Sequence, residues 1–130
     1  MVIFVSVPMK GREYKEVELE ILKGIRAFVK NEKEKNVDPT DVTFIDNLDC
    51  SPEVHLNHEV KHVGPLYLSY AIKALSYSDG ILMIGDWTNA HGCLVEHEVA
   101  RRYGLKRYYL CANGSISSSK EEEENENGES

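Results

Sequence analysis

Glu96 is the side chain whose position most invites chemistry. Gly92, Glu96, Val99, Ala100 and Tyr103 recur at i, i+4, i+7, i+8 and i+11, which is one stripe of a helix. The stripe should face a sheet, which sets one carboxylate on an otherwise small or apolar face. Burying an unpaired charge costs several kcal/mol, so a partner or a cavity must sit beside it. The apolar run Gly80–Gly85 and the polar turn Asp86-Trp87-Thr88-Asn89-Ala90-His91-Gly92 come immediately before. That order reads as buried strand, tight loop, helix, and ligands bind at such junctions in open α/β sheets. A simpler role also fits, in which Glu96 only complements the positive end of its helix. Glu98 points outward, with Arg102 at i+4 as an exposed ion pair.

Two other places carry weaker signals. In Ser6-Val7-Pro8-Met9-Lys10-Gly11-Arg12, Gly11 and Arg12 fall where a helix begins. Free backbone N–H groups and a guanidinium there suit a phosphate or carboxylate, although an ordinary turn with a solvated arginine reads the same. Asp79, in Ser78-Asp79-Gly80, either caps a turn or reaches a site, depending on where the following strand begins. No dinucleotide-binding glycine fingerprint and no P-loop follow the first strand. His97-Glu98 opens like a zinc-protease motif but lacks its second histidine. His55, His58 and His62, with Glu59, read as a histidine-bearing loop rather than a metal site, and no metal or other cofactor is expected.

The elements that must position these residues follow from periodicity. Val2–Ser6 reads as a strand. A helix is expected over about 12–33, with Tyr14, Val17, Ile21, Ile25 and Phe28 on its buried face and a solvated end at 31–36. Val42–Asp46 reads as a second strand, and 47–64 as a long connection of the kind that forms lids or binding loops. A helix over 65–78, the strand from Gly80 and the helix 93–104 follow, and Lys106–Cys111 reads as a last strand at a sheet edge. The alternation predicts an α/β fold with a mainly parallel four- to five-stranded sheet and helices on both faces. Residues 1–112 then form one domain, and 113–130, rich in Ser, Glu and Asn, a disordered acidic tail.

Composition narrows the partners. The net charge is −7, of which −5 falls from Ile116 onward, so the folded part is close to balanced. No basic stripe with interleaved aromatics is visible, which argues against a nucleic-acid polymer. No apolar run reaches the ~20 residues that span a bilayer, and the first residues show no secretory signal, so neither membrane insertion nor export is expected. Three scattered cysteines, Cys50, Cys93 and Cys111, fit free thiols in a reducing compartment such as the cytoplasm.

Taken together, Gly11-Arg12 after the first strand, Ser78-Asp79-Gly80 before an apolar strand, and Trp87-x-x-Ala90-x-Gly92-x-x-x-Glu96-x-x-x-Ala100 resemble the nucleoside 2-deoxyribosyltransferase-like superfamily. That superfamily includes the deoxynucleoside-monophosphate N-glycosidases. The chain is most similar to a small phage and bacterial branch of unassigned function, over about residues 1–111. The resemblance implies a flavodoxin-like Rossmannoid fold and association as dimers or higher oligomers. It implies Glu96 as a nucleophile on a sugar anomeric carbon, with Asp79 ordering the sugar or base. Ser6, Gly11 and Arg12 would lie in the phosphate-contacting loop, and Ala90 and Gly92 in the glutamate motif that meets substrate. Trp87 would stack on a base or anchor its loop, and Asn89 would hydrogen-bond the sugar. A nucleophile must remain ionised, which calls for a neighbouring donor, for instance Tyr67 or Tyr70. Ala90 stands where relatives carry Asp or Ser, and Ile3 and Phe4 where some place a tyrosine. The expected substrate is a small nucleoside or nucleotide, cleaved by hydrolysis or by transfer. A non-catalytic nucleotide-binding module, or a domain whose acidic tail docks a partner protein, are the alternatives.

Overall fold

β1 (Val2–Ser6) is buried from Ile3 onward, on both of its faces. The computed structural model describes residues 1–46 and 61–119. Around β1 the sheet is built in the order β2-β1-β3-β4-β5, with β2 at Thr43–Asp46, β3 at Gly80–Met83, β4 at Lys106–Leu110 and β5 at Ile116–Ser118. The first four strands are parallel, and β5 runs antiparallel to β4. This is the flavodoxin-like order, with the three α-helices of the described residues in two outer layers.

Alternation along β1 sorts the core. Ile3 and Val5 join Val17, Ile21 and Phe28 of α1 (Tyr14–Glu34) on one face, with Leu82 and Ile84. Phe4 joins Ala71 and Leu75 of α2 (Val63–Leu75), and Cys93 and Ala100 of α3 (His91–Arg102), on the other. All four residues of β3 are buried, the continuous apolar run expected of a central parallel strand covered on both sides. α1 ends where Asn36 takes a left-handed φ of 64°, its N–H bonding the Lys33 carbonyl while that of Val37 bonds the Glu32 carbonyl.

Four sequence expectations are corrected. Tyr14 is exposed, because α1 begins there and the buried stripe starts one turn later at Val17. Within the supposedly solvated end of α1, Glu32 is buried. β4 is not an edge: β5 pairs with it, and the Ser119 hydroxyl accepts from the buried Arg107 Nε at 3.1 Å. Residues 113–119, read as disordered tail, form this hairpin, in which the Asn113 side chain accepts from the Ser115 N–H at 3.0 Å and Gly114 turns the chain. The connection 47–60, with Cys50, His55, His58 and Glu59, and the tail 120–130 lie outside the described residues.

Candidate active site

Parallel strands bring the loops after β1 and β3, and the start of α3, to one edge of the sheet. Ser6 closes β1 on the side that faces α3, as Phe4 does two residues earlier. On α3 the buried positions are Cys93, Glu96 and Ala100, at i, i+3 and i+7. Glu96 is therefore directed at the sheet as the periodicity predicts, and only 4% of it is exposed. Gly92 and Tyr103, placed on the same stripe by sequence, are exposed instead, and Cys93 takes the inner position. Glu96 and Ala100 keep their predicted inward positions, and the buried face is centred on their Cys93 side rather than on the Gly92–Tyr103 side.

The Ser6 hydroxyl donates to Glu96 Oε1 at 2.6 Å. That is at the short end of the range for a hydroxyl–carboxyl hydrogen bond. The donor offsets part of the cost of burying the charge, and it comes from β1, not from Tyr67 or Tyr70. Cys93 lies beside the pair. Burial pushes its thiol up to about 11, a hydrogen bond with Ser6 opposes the rise, and the Glu96 charge adds to it. At neutral pH the thiol is thus protonated and a poor nucleophile.

Gly11 and Arg12 do sit in the loop after β1, where Gly11 takes a φ of 74° that reverses the chain into α1. The Arg12 guanidinium, however, is engaged within the protein. It donates to Glu20 Oε2 at 2.7 Å, to Glu16 Oε1 at 3.0 Å and to the Pro8 carbonyl at 2.9 Å. These pairs, Glu20 foremost, raise its pKa further. Gly85, at φ 70°, lies so close to the Glu20 carboxylate that a side chain there would displace it, and would also press tightly on Pro8. Arg12 thereby ties the loop after β1 to α1, with Gly85 of the loop after β3 close beside the Glu20 carboxylate.

The loop after β3 holds Trp87 and Asn89 in a single 3-10 turn, Trp87–Asn89. The half-buried Trp87 ring packs on His97 at 4.7 Å and stacks with Tyr109 at 5.9 Å, while His97 Nε2 and the Tyr109 hydroxyl share a 2.7 Å hydrogen bond. This aromatic group fastens the loop to α3 and β4, which is the anchoring role weighed for Trp87. Asn89 Nδ2 donates to both oxygens of Asp86 at 2.9 Å. Ala90 occupies the position just before α3 and, having no polar side chain, supplies no cap to the first turn. Gly92 is exposed in that turn, with open space where a side chain would project.

Asp79 does not belong to this corner. β3 begins at Gly80, so Asp79 lies at the amino edge of the sheet, a four-residue strand or about 13 Å from the carboxyl ends. Its carboxylate accepts from the Val2 N–H at 2.7 Å, and its own N–H bonds the Val2 carbonyl at 2.7 Å. The residue ties the start of β1 to the entrance of β3. The structure thus sets at one edge of the sheet Ser6, Glu96, the first-turn Gly92 of α3 and, in the flanking loops, Gly11, Arg12, Trp87, Asn89 and Ala90; it separates Asp79 from them.

Sequence reasoning passed over Cys93, His97 and Tyr109. His97 and Tyr109 carry no local signal, since one side chain is on a helix and the other on a strand twelve residues later. Among the described residues no group of three His, Cys, Asp or Glu side chains is placed to hold a metal ion. No described helix is long and apolar enough to cross a membrane.

Comparison with known proteins adds a family without an activity. No curated protein matches the chain. Residues 45–109, half of the chain, match the model of a domain of unknown function, DUF4406, and this span runs from the end of β2 through α2, β3, α3 and most of β4. It includes Glu96, the Trp87 loop and Asp79 but not Ser6 or Arg12, so the carboxylate lies inside the family's segment and its hydrogen-bond donor outside it. The chain belongs to the DUF4406 family.

Proposed function

We propose that the protein cleaves the N-glycosidic bond of a small (deoxy)nucleoside or nucleoside 5′-monophosphate, with Glu96 as nucleophile. The reading rests on the resemblance to the nucleoside 2-deoxyribosyltransferase-like superfamily, and one observation supports it above the rest. A buried carboxylate at the carboxyl edge of a parallel sheet accepts a 2.6 Å hydrogen bond from the Ser6 hydroxyl. In this chemistry a Glu96 oxygen forms a bond to the sugar anomeric carbon as the base departs with the bonding electron pair and takes up a proton. Water, or the nitrogen of a second base, then displaces the carboxylate with overall retention. Ser6 holds the carboxylate in place and donates to it while it is free. Action on free nucleotides would suit a cytoplasmic protein, and the same resemblance supports a homodimer or higher homo-oligomer.

The displacement of Asp79 to the far edge favours a second reading, a non-catalytic nucleotide-binding module using the same corner. Incubation with deoxynucleosides and deoxynucleoside monophosphates, followed by chromatography for released base, separates the two. The glycosidase reading requires release by the wild type and a loss of at least about a thousandfold in Glu96→Gln, the scale on which removal of a nucleophile acts. Release that survives the substitution overturns it. Saturable binding without release supports the module.

A further inference from the structure

We propose that the acidic segment Lys120–Ser130 lies against the basic flank of α1 in the same chain. Ile25, Val29 and Lys33 fall at i, i+4 and i+8 of α1, with Arg26 and Lys30 in the adjacent column, and together they line a groove of about 280 Å³. Ile25 and Val29 are half-buried in its floor, while Arg26, Lys30 and Lys33 are exposed. None of the three cations forms an ion pair with a described carboxylate. This is a concentrated positive surface on a chain whose net charge is −7.

The occupant follows from where the chain leaves the sheet. β5 lies beside α1, and Ile116 packs into the α1-side core. Ser118 pairs with Tyr108, whose ring meets Phe28 edge-on at 4.9 Å, and Phe28 sits in the same turn of α1 as Ile25 and Val29. The last described residue, Ser119, thus leaves the sheet on the side that α1 covers. The eleven residues Lys120–Ser130 reach up to ~36 Å when extended. They carry six glutamates and one lysine. Charge complementarity and a short tether raise the local concentration of this segment at the flank above that of any free acidic peptide.

The contact is electrostatic at an exposed surface, so it is salt-sensitive and leaves the fold intact. The test uses the full chain and a full-length variant in which Glu121, Glu122, Glu123, Glu124 and Glu126 are changed to Gln. Backbone amide spectra of the two should differ at residues 25–33 of α1 as well as in the substituted segment. The same α1 amides should move in the wild type, and not in the variant, as salt is raised to about 1 M, where screening acts within ~3 Å. A second full-length variant, Lys30→Glu with Lys33→Glu, should in turn shift the amides of 121–129. Differences confined to the substituted segment, or scattered over the fold, overturn the proposal. So does a concentration dependence of the α1 shifts, which would assign the contact to a second copy.

Discussion

Ser6 and Glu96 are ninety positions apart in the chain and 2.6 Å apart in space, joined by the hydroxyl of one and the carboxylate of the other. Both are almost fully buried. The bond links the carboxyl end of β1 to the second turn of α3, so it is at once a packing contact and the arrangement on which the proposed chemistry relies. Hydrogen bonds to charged groups contribute about 1.5–3 kcal/mol, and a carboxylate deprived of a buried donor keeps the cost of its burial. Ser6→Ala should therefore destabilise the protein by about that amount in denaturant unfolding. Ser6→Thr, which retains the hydroxyl, should recover most of the loss if the added methyl group is accommodated. Base release, if the wild type shows it, should fall in Ser6→Ala under conditions where the protein remains folded.

Asp79 provides the contrast. Its carboxylate accepts from the Val2 N–H at the opposite edge of the sheet, where no other site residue lies. Asp79→Ala should cost about 0.5–1.5 kcal/mol of stability, the range for one hydrogen bond, with the loss read by thermal or denaturant unfolding. It should leave any nucleoside turnover or binding within about twofold of wild type at a temperature where the variant is folded, because the substitution touches nothing at the carboxyl edge. A collapse of activity without a change in stability would return Asp79 to the site.

Much of the fold was legible in the sequence because local pattern and tertiary packing agree. The continuous apolar run of β3 and the three- and four-residue steps of α1 each have one structural solution in a covered parallel sheet. Glu96 was legible for the same reason, as a charge on a face that the period sends inward. Its partner was not, since nothing in residues 1–12 marks Ser6 as the donor rather than as the start of a loop. Cys93 was missed because the buried face is centred between Cys93, Glu96 and Ala100, roughly half a residue step round the helix from the stripe drawn through Gly92, Glu96 and Tyr103. β5 was missed because its three residues, Ile-Ser-Ser, carry almost no hydrophobic signal; Asn113-Gly114, a strong hairpin turn, was the available cue. The internal pairing of Arg12 depends on Glu16 and Glu20 lying one and two turns along α1, a relationship readable only once the loop geometry is known.

The two described cysteines should differ sharply in reactivity. Cys93 is buried, and its thiol is pushed up to about 11, mainly by that burial. Cys111 is partly exposed at the end of β4, with its sulfur 3.6 Å from the Ser117 hydroxyl oxygen. Alkylation follows the accessible thiolate. Iodoacetamide at pH 8 should therefore label Cys111 well before Cys93, with Cys93 reacting only as the protein is unfolded by denaturant. Peptide mapping by mass spectrometry reads both sites in one experiment, and early labelling of Cys93 would show that the corner around Glu96 opens readily.

Glu98, two residues beyond the buried carboxylate, behaves in the opposite way because it is partly exposed and doubly paired. Its carboxylate accepts from Arg101 at 2.8 Å and from Arg102 at 2.7 Å. Hydrogen bonds from Arg101 and then Arg102 lower its pKa from 4.5 to about 2. A depressed carboxyl pKa contributes stability above the unfolded value, near 4.5, and loses it as pH falls through the folded value, near 2. The melting temperature of the wild type should therefore exceed that of Glu98→Gln at pH 6, and the two should converge between about pH 4.5 and pH 2. Because both arginines pair at an exposed surface, the difference at pH 6 should also shrink as salt is raised. A gap that stays constant down to pH 2 would mean that the carboxylate charge is not what the arginines recognise there.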